Sequence, residues 1–277
     1  MSERQKTYVP PEMGDRISDD KHHFGLAIVV FAIYLLLPIV VTFIYSVVVD
    51  WSTSWIPHGF TLANYASIVS DSDFWASMLR TIIIAVIPIG ITTIVLLLTM
   101  FVVVVFVPGL DKIVQMLCML PYALQGVILS VGIISIYTGT GTFLSNRMLM
   151  LVGAYCIMVL PYIYQGIRNN LYGIASNTLI EAAEMLGASR MYAYWKIIVP
   201  NIMPGITVSM LLSLSIIFGD FVLANNIAGT AYKNIQVYLQ QEMITSSGTS
   251  SAIVVIIFVV IFMLTGIVLK MQKKDEA

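Results

Sequence analysis

Charged residues are scarce in this chain. They make up 10% of its 277 residues, whereas 58% of the residues are hydrophobic. Soluble domains carry about 25% charged residues, so the composition excludes an ordinary soluble domain and predicts an integral membrane protein. One membrane domain is the simplest count for a chain of this length.

Cysteine and excess positive charge are also lacking. Cys118 and Cys156 both lie in apolar runs, and no third cysteine or nearby histidine completes a ligand set. We therefore expect neither a disulfide framework nor a metal site. The formal net charge of -1 gives no basic cluster that could neutralise phosphates, so we expect no nucleic-acid partner.

Patterns typical of nucleotide binding and hydrolysis are missing as well. The sequence contains no G-x-x-x-x-G-K-[ST] phosphate loop, no H-E-x-x-H and no G-x-S-x-G, the patterns of ATPases, metalloproteases and serine hydrolases. The serines and tyrosines of the apolar runs have no partnering histidine. The chain is therefore not expected to be an enzyme or to bind a cofactor itself.

Long apolar runs are what the sequence has in abundance. Six runs of 18 to 27 residues occur, and about 20 residues are needed to cross the hydrocarbon core as a helix. Backbone groups in that core find no water, so each span must be helical. The predicted spans are Phe24–Val49, Thr81–Val107, Ile113–Tyr137, Met148–Ile167, Ile202–Gly219 and Ser251–Leu269.

These six spans contain no Asp, Glu, Lys, Arg or His. Secondary transporters and channels usually carry ionisable residues within their spans, so this second class is disfavoured. The predicted organisation is a solvated tail over 1–23, a membrane domain over 24–270 and a second tail over 271–277.

The placement of lysine and arginine predicts the orientation. With a cytoplasmic N-terminus, 11 of the 14 lysines and arginines lie inside, and only Arg80, Arg147 and Lys233 lie outside. This bias predicts a multi-pass protein with both tails in the cytoplasm.

One pattern, Leu-Pro-Tyr-x-x-Gln-Gly, occurs at 120–126 and again at 160–166. Proline inside a transmembrane helix kinks it and frees a carbonyl, and a glutamine at that depth needs a polar partner or a water-lined path. Two interpretations are open: hydrogen bonding between helices, or the lining of a translocation path. The residues concerned are Tyr122, Gln125, Tyr162 and Gln165.

The most informative polar stretch runs from Glu181 to Pro200. Thr178 and Glu181 have the T-x-x-E spacing of a capping box, which predicts a short helix from about Leu179 to Leu186. Gly187 fits the left-handed position that ends a helix, and Ser189 can cap a second helix that runs toward Pro200. The stretch therefore predicts a helix, a bend and a helix at a membrane surface.

This stretch resembles the EAA loop of the permease subunits of ABC importers. In that loop, Glu-Ala-Ala is followed at fixed spacing by a glycine and then by Ile-x-Leu-Pro. The matching residues are Glu181, Ala182, Ala183, Gly187, Ile197 and Pro200, with Val199 in place of the leucine. The resemblance implies an all-α, six-transmembrane-helix permease fold of the type I importers. It also implies that residues 168–200 form a coupling loop that contacts an ATPase subunit. Glu181 and the Ala182–Ala183 pair would sit in a groove of that subunit, Leu186 would take part in the coupling, and Gly187 would set the angle.

The resemblance extends from about Phe60 to Leu269 and implies several partners. These are two ATPase subunits that use ATP and Mg, a second homologous permease subunit, an extracytoplasmic solute-binding protein and the lipid of a bacterial inner membrane. The run Phe60–Tyr65, in the first outside loop, is implied to help form the docking surface of the binding protein. A belt of aromatic anchors at the membrane interface is the other interpretation of that loop.

A second resemblance concerns the run Phe218–Leu223. It is similar to the Asp-Glu-Phe-Val-Leu run of spermidine/putrescine permeases, with Asp220 in place of the glutamate and Gly219 in place of the aspartate. A polyamine is therefore the first expected solute, and ferric iron, phosphonate or thiamine are alternatives. Asp220, Asn225 and Asn226 are expected to line an outer gate, unless Asp220 serves only as a cap at the end of the fifth span.

Overall fold

The computed structural model describes residues 11–50, 58–124, 126–139, 141 and 145–275. Helices dominate this part of the chain, as the composition predicts. The helices are α1 Pro11–Ser46, α2 Ala63–Ser70, α3 Ser72–Val105, α4 Asp111–Met119, α5 Val127–Tyr137, α6 Arg147–Gly173, α7 Ser176–Met185, α8 Arg190–Ala193, α9 Val199–Gly219, α10 Ile235–Thr245 and α11 Ser247–Asp275.

Two short strands are a small departure from an all-helical chain. β1, Val48–Asp50, and β2, His58–Phe60, pair antiparallel with Val48 opposite Phe60. β1 overlaps the end of the predicted first span, which therefore stops at Ser46 and not at Val49, and β2 lies in the predicted outside loop.

Five helical segments of the described chain are long and apolar enough to cross a membrane. They are Ile28–Ser46, Ser72–Val105, Arg147–Gly173, Arg190–Gly219 and Ser247–Lys270. Each matches a predicted span, although the second and the fourth to sixth begin earlier in the chain than predicted. The second begins at Ser72 rather than Thr81, because the polar residues before the apolar run continue the same helix.

The third predicted span, Ile113–Tyr137, is not one continuous helix. Its two helical pieces, Pro108–Leu124 and Val127–Tyr137, meet at 100°, so the described chain has six spans only if this pair counts as one. A 3₁₀ turn over Leu120–Leu124 contains Pro121, and Gly126 follows with φ 70° and ψ −124°. That backbone conformation is readily adopted only by glycine, and it turns the chain out of the helical direction.

The core forms around α6, which has its most extensive contacts with α3 and α9. Tyr155 and Tyr164 of α6 are fully buried, as are Phe74 of α3 and Phe218 of α9. By contrast, α1 packs mainly on α11, and residues 28–40 of α1 are all exposed. The apolar surface of α1 is therefore suited to contact with lipid.

Helices α6 and α9 approach closely because both carry glycine where they cross. A Cβ atom at Gly166 would collide with Ser209, and one at Gly205 would collide with the side chain of Asn170. The Asn170 amide donates to the Gly166 carbonyl at 2.7 Å. Small residues allow this approach between membrane helices, so the crossing fixes α6 against α9.

Candidate coupling elbow and translocation path

The first arm of the predicted bend is α7, which begins three residues earlier than the sequence predicts. Its N-cap is Ala175, in the left-handed conformation at φ 48° and ψ 53°, and no side chain caps it. The capping box of Thr178 and Glu181 is therefore a wrong prediction. Thr178 already lies in the first turn, where its own N–H donates to the Ala175 carbonyl at 3.0 Å.

The bend itself is confirmed. Gly187 has φ 86°, and its N–H donates to the Glu184 carbonyl at 2.9 Å, while the Ala188 N–H donates to the Ala183 carbonyl at 3.0 Å. This pair of bonds is the Schellman ending of a helix, which needs a left-handed residue at the glycine position. Ser189 then caps α8, because its hydroxyl accepts from the Tyr192 N–H at 3.3 Å.

The second arm continues directly into the membrane. From α8 the chain passes through a π turn, Tyr194–Ile198, into α9, so one helical segment runs from Arg190 to Gly219. The expectation that the fifth span starts at Ile202 is therefore wrong. Pro200 is the second residue of α9, directly after the π turn, and it has no N–H to donate to that turn. We call residues 176–193 the elbow.

The free side of the elbow is apolar at its tip. Met185 is 90% exposed and Leu186 is 88% exposed, and the neighbouring Glu181 and Ala182 are exposed as well. Large apolar side chains grouped at an exposed point mark an interaction surface. Ala183 is only 5% exposed and packs in the core of this chain, which corrects the expectation that both alanines enter a partner's groove.

The other side of the elbow is fixed to the end of α3. Arg190 pairs with Glu184 across the bend and donates to the Val105 carbonyl at 3.3 Å. The fully buried Tyr194 donates its hydroxyl to the Leu97 carbonyl at 2.9 Å. Ile197 is half-buried against the core, whereas Pro200 is exposed at the base of α9. The elbow therefore has one free face and one anchored face.

Three of the predicted path residues lie together. Gln165 donates through Nε2 to the Tyr122 hydroxyl at 3.2 Å, and the rings of Tyr122 and Tyr162 meet edge to face with centroids 5.1 Å apart. Hydrogen bonding between the two copies of the motif is thus present. Tyr122 is still 41% exposed, so the group also presents a polar surface. Gln125 lies outside the described residues.

Asp220 acts as a cap. Its carboxylate accepts from the Tyr155 hydroxyl at 3.0 Å and from the Leu223 and Ala224 N–H groups at 3.1 and 3.3 Å. Burial raises the pKa of Asp220 above its usual value, although these hydrogen bonds act in the opposite direction. The carboxylate thus fixes the turn that follows α9, as the second interpretation of Asp220 predicts.

The two asparagines of the predicted outer gate differ from each other. Asn226 donates to the Ser130 hydroxyl at 2.8 Å and so ties the segment after α9 to α5. Both asparagines are exposed. Asp220 and Asn226 are therefore held by partners other than the group formed by Tyr122, Tyr162 and Gln165.

One polar cluster near the elbow was not predicted from the sequence. Arg168 of α6 binds Asp111 of α4 through two hydrogen bonds, Nη2 to Oδ2 at 2.9 Å and Nε to Oδ1 at 3.3 Å. The Tyr172 hydroxyl also donates to Asp111 Oδ2, at 3.0 Å. Both charges flank predicted spans and are 57 residues apart in the chain. Their opposite signs at the same end of two consecutive spans were the signal in the sequence that could have predicted the pair.

Among the described residues, no group of His, Cys, Asp or Glu side chains is suited to hold a metal ion.

Comparison with known proteins identifies the family. Residues 106–274 match the family described as binding-protein-dependent transport system inner membrane component. The spermidine/putrescine transport system permease protein PotC of Haemophilus influenzae is 31% identical over 107 residues, which cover 39% of this chain and 40% of PotC. The probable ABC transporter permease protein y4fN of Sinorhizobium fredii is 26% identical over 194 residues, which cover 65% of this chain and 32% of y4fN. The matches span less than half the length of either relative.

Two solved structures have the same fold. A bacterial ABC transporter involved in the import of the acidic polysaccharide alginate aligns with a TM-score of 0.63 and 19% identity, over 96% of this chain and 99% of that chain. A bacterial alginate ABC transporter in complex with an alginate pentasaccharide-bound periplasmic protein aligns with a TM-score of 0.65 and 16% identity, over 94% of this chain and 97% of that chain.

At such identities the likeness shows the fold, and the predicted class of importer permease fold is confirmed. The family match covers more than half of the chain and includes the elbow, α6 and α9. The chain therefore belongs to the family of binding-protein-dependent transport system inner membrane components.

Proposed function

We propose that the chain is the permease subunit of an ATP-driven, binding-protein-dependent importer. The observation that carries this proposal is the elbow, whose apolar tip at Met185 and Leu186 is exposed while its other face is anchored to α3. A separate ATPase subunit covers the tip in the proposed assembly. Burial of a Leu or Met side chain contributes about 1.5–3 kcal/mol, and the exposed Glu181 beside the tip supplies a charge for a basic partner residue.

The elbow is suited to transmit force because it is rigid and continuous with two spans. The Schellman bonds at Gly187 and the ion pair between Arg190 and Glu184 fix the angle between its arms. α6 leads into α7, and α8 leads into α9 without a break. ATP-driven closure of an ATPase dimer would displace the elbow, and rigid-body motion of α6 and α9 would exchange an inward-open path for an outward-open one.

The proposed assembly contains partners that the family implies. These are two ATPase subunits that use ATP and Mg, a second homologous permease subunit and an extracytoplasmic solute-binding protein, placed in a bacterial inner membrane. Both tails and the elbow lie in the cytoplasm in this arrangement, which the distribution of lysine and arginine supports. The group formed by Tyr122, Tyr162 and Gln165 lines the path, and the exposure of Tyr122 supports this role.

We assign a polyamine as the first candidate solute. The run Phe218–Leu223 supports this assignment, and so does the match to PotC. Asp220 is not a free ligand for a cation, because Tyr155 and two backbone N–H groups occupy its carboxylate. Selectivity is therefore assigned to the binding protein. The assignment requires that a binding protein loaded with spermidine stimulate ATP hydrolysis by the reconstituted complex more than ferric iron, a phosphonate, thiamine or an alginate oligosaccharide does.

The elbow's role is tested by Gly187→Val. Nothing lies within 4 Å of a Cβ at Gly187, but its φ of 86° is strongly unfavourable for valine, so the substitution changes the bend and not the packing. We expect the complex to assemble and hydrolyse ATP while uptake per ATP falls about tenfold, within the usual range of coupling free energies. Transport assays in proteoliposomes measure both rates.

Gly173→Val is the matched control. Gly173 also has open space around it, and its φ lies outside the left-handed region. Uptake per ATP should stay close to that of the wild type in this variant. Normal coupling in Gly187→Val would remove the role assigned to the bend.

A further inference from the structure

The polar cluster at Asp111 bridges two parts of the molecule that the chain connects only distantly. Asp111 is the first residue of α4, the first piece of the bent third span. Arg168 and Tyr172 lie in the last two turns of α6. Ala175, three residues after Tyr172, is the N-cap of α7, where the elbow begins. The cluster thus joins the bent span to the helix that enters the elbow.

The geometry of the cluster makes this connection firm. Arg168 binds both carboxylate oxygens of Asp111, at 2.9 and 3.3 Å, and a bidentate pair fixes orientation as well as distance. The Tyr172 hydroxyl is a third donor to Asp111, and the Arg168 guanidinium lies 4.7 Å from the centre of the Tyr172 ring. The side chains of Arg168 and Asp111 are only 25% and 17% exposed. Ion pairs shielded to this degree are weakened by water and salt less than exposed pairs are.

The packing next to this cluster is loose by comparison. A cavity of about 270 Å³ separates the first turn of α7 from the end of α3. Its wall includes Asp111 and Tyr172, and its other lining residues are Pro108, Leu171 of α6, three residues of α3 and residues 175–178. The cavity is partly open to the surface, so the first turn of α7 can shift locally, whereas the α8 arm is held to α3 by Arg190. The ion pair holds α4 to α6 during any such movement.

We propose that Asp111 and Arg168 form a transmission link, through which displacement of the elbow moves the bent third span together with α6. Both are positioning residues, because they act on the path through α4 and not by contact with the solute. The link would carry motion toward Gly126 and Tyr122, at the far end of the first helical piece. This inference rests on the proposed function and adds the third span to the moving parts.

The test uses the complete complex with its partner subunits in proteoliposomes. Asp111→Asn removes the charge that Arg168 binds, and the exchange variant Asp111→Arg with Arg168→Asp restores a pair of reversed polarity. We expect Asp111→Asn to keep ATP hydrolysis and to lower uptake per ATP about fivefold or more, the lower end of typical coupling. The exchange variant should recover part of that loss. Lys112→Gln, which removes an exposed charge one residue away, should change nothing.

A distance measurement separates transmission from a general loss of structure. Spin labels at the exposed positions Lys112 and Asn177 report the distance between α4 and the elbow. We expect one narrow distribution with and without ATP in the wild type, and a broad distribution in Asp111→Asn. The link is overturned if assembled Asp111→Asn shows the same uptake per ATP and the same narrow distance distribution as the wild type.

Two other outcomes are also decisive. If Asp111→Asn does not assemble, the exchange variant is measured in its place, and normal uptake per ATP together with a broad distribution overturns the link. If the wild-type complex shows no ATP-dependent uptake, the proposed function fails. The label distances still report in that case whether α4 and the elbow move as one body.

Discussion

The two copies of Leu-Pro-Tyr-x-x-Gln-Gly fold differently. The copy at 160–166 lies within α6, which is uninterrupted from Arg147 to Gly173. The copy at 120–126 leaves α4 after Met119, forms a 3₁₀ turn and continues in α5 at an angle of 100°. The same local pattern thus lies in a continuous helix in one place and at a break in another.

The neighbours of each copy explain the difference. Proline inside a helix costs about 3 kcal/mol, and packing must offset that cost for the helix to continue. Ile163 and Tyr164 are fully buried in the second copy, where α9 crosses directly at Gly166. Leu120 and Tyr122 of the first copy are exposed, so little packing opposes the break. Tertiary contacts, not the motif, decide whether the helix continues.

The largest loss of thermal stability is expected at Gly166, where the second copy packs against α9. In Gly166→Ala the new methyl group would collide with Ser209, and α6 and α9 would have to separate. Overpacking of this kind costs about 1–3 kcal/mol, so the unfolding temperature in detergent should fall clearly. Hydrogen exchange at 160–166 should also rise, because this copy would lose the packing that keeps it helical.

Gly153→Ala is the matched control in the same helix, since nothing lies within 4 Å of a Cβ there. It should leave the unfolding temperature equal or slightly higher, because alanine favours the helix. The double variant Gly166→Ala with Ser209→Gly should recover part of the loss. An unfolding temperature unaffected by Gly166→Ala would contradict the explanation by packing.

A smaller effect is expected at the break in the first copy. A Cβ at Gly126 would meet only Val222, at 4.0 Å, but φ is 70°. Gly126→Ala should therefore destabilise through the backbone alone, by about 1–2 kcal/mol, and favour a straighter third span. Thermal unfolding measures the loss, with Gly132→Ala in α5 as the control because that site is open and helical. Equal unfolding temperatures for Gly126→Ala and Gly132→Ala would show that the bend does not depend on Gly126.

The smallest effect is expected for the hydrogen bond that joins the copies. Tyr122→Phe removes the acceptor of Gln165 and keeps the ring contact with Tyr162. Hydrogen bonds between membrane helices average about 0.6 kcal/mol in double-mutant cycles. A cycle of Tyr122→Phe with Gln165→Leu should give a coupling free energy of that size in thermal unfolding. A coupling free energy of zero would mean that the two copies are not joined in solution.

Local rules predicted the bend of the elbow well. Gly187 and Ser189 act through their own backbone and side chain, so spacing alone was enough to assign the left-handed residue and the second cap. The start of α7 could not be predicted in this way, because the left-handed Ala175 follows from how α6 ends and not from any residue preference. The burial of Ala183 depends likewise on the core that faces it.

Apolar runs predicted where spans lie but not whether they bend. The first copy of the motif is packed less tightly than the second, with Leu120 and Tyr122 exposed, and a sequence pattern does not show how tightly a segment is packed. Asp111 and Arg168 were missed for the same reason, since their pairing depends on how α4 and α6 are placed side by side. The sequence left two interpretations of Asp220 open, because it does not show the hydrogen bond that Asp220 accepts from Tyr155.

Contact between the elbow tip and a separate ATP-hydrolysing subunit is tested most directly by photo-crosslinking from position 186 in the intact complex. Leu186 is 88% exposed at the elbow, and Ile244 is 84% exposed beyond the far end of α9, so a crosslinker at 244 is a matched control. We predict an adduct with the ATPase subunit from position 186 and none from position 244. No ATPase adduct from 186 in an assembled complex, or an adduct from 244, would contradict the coupling role of the elbow.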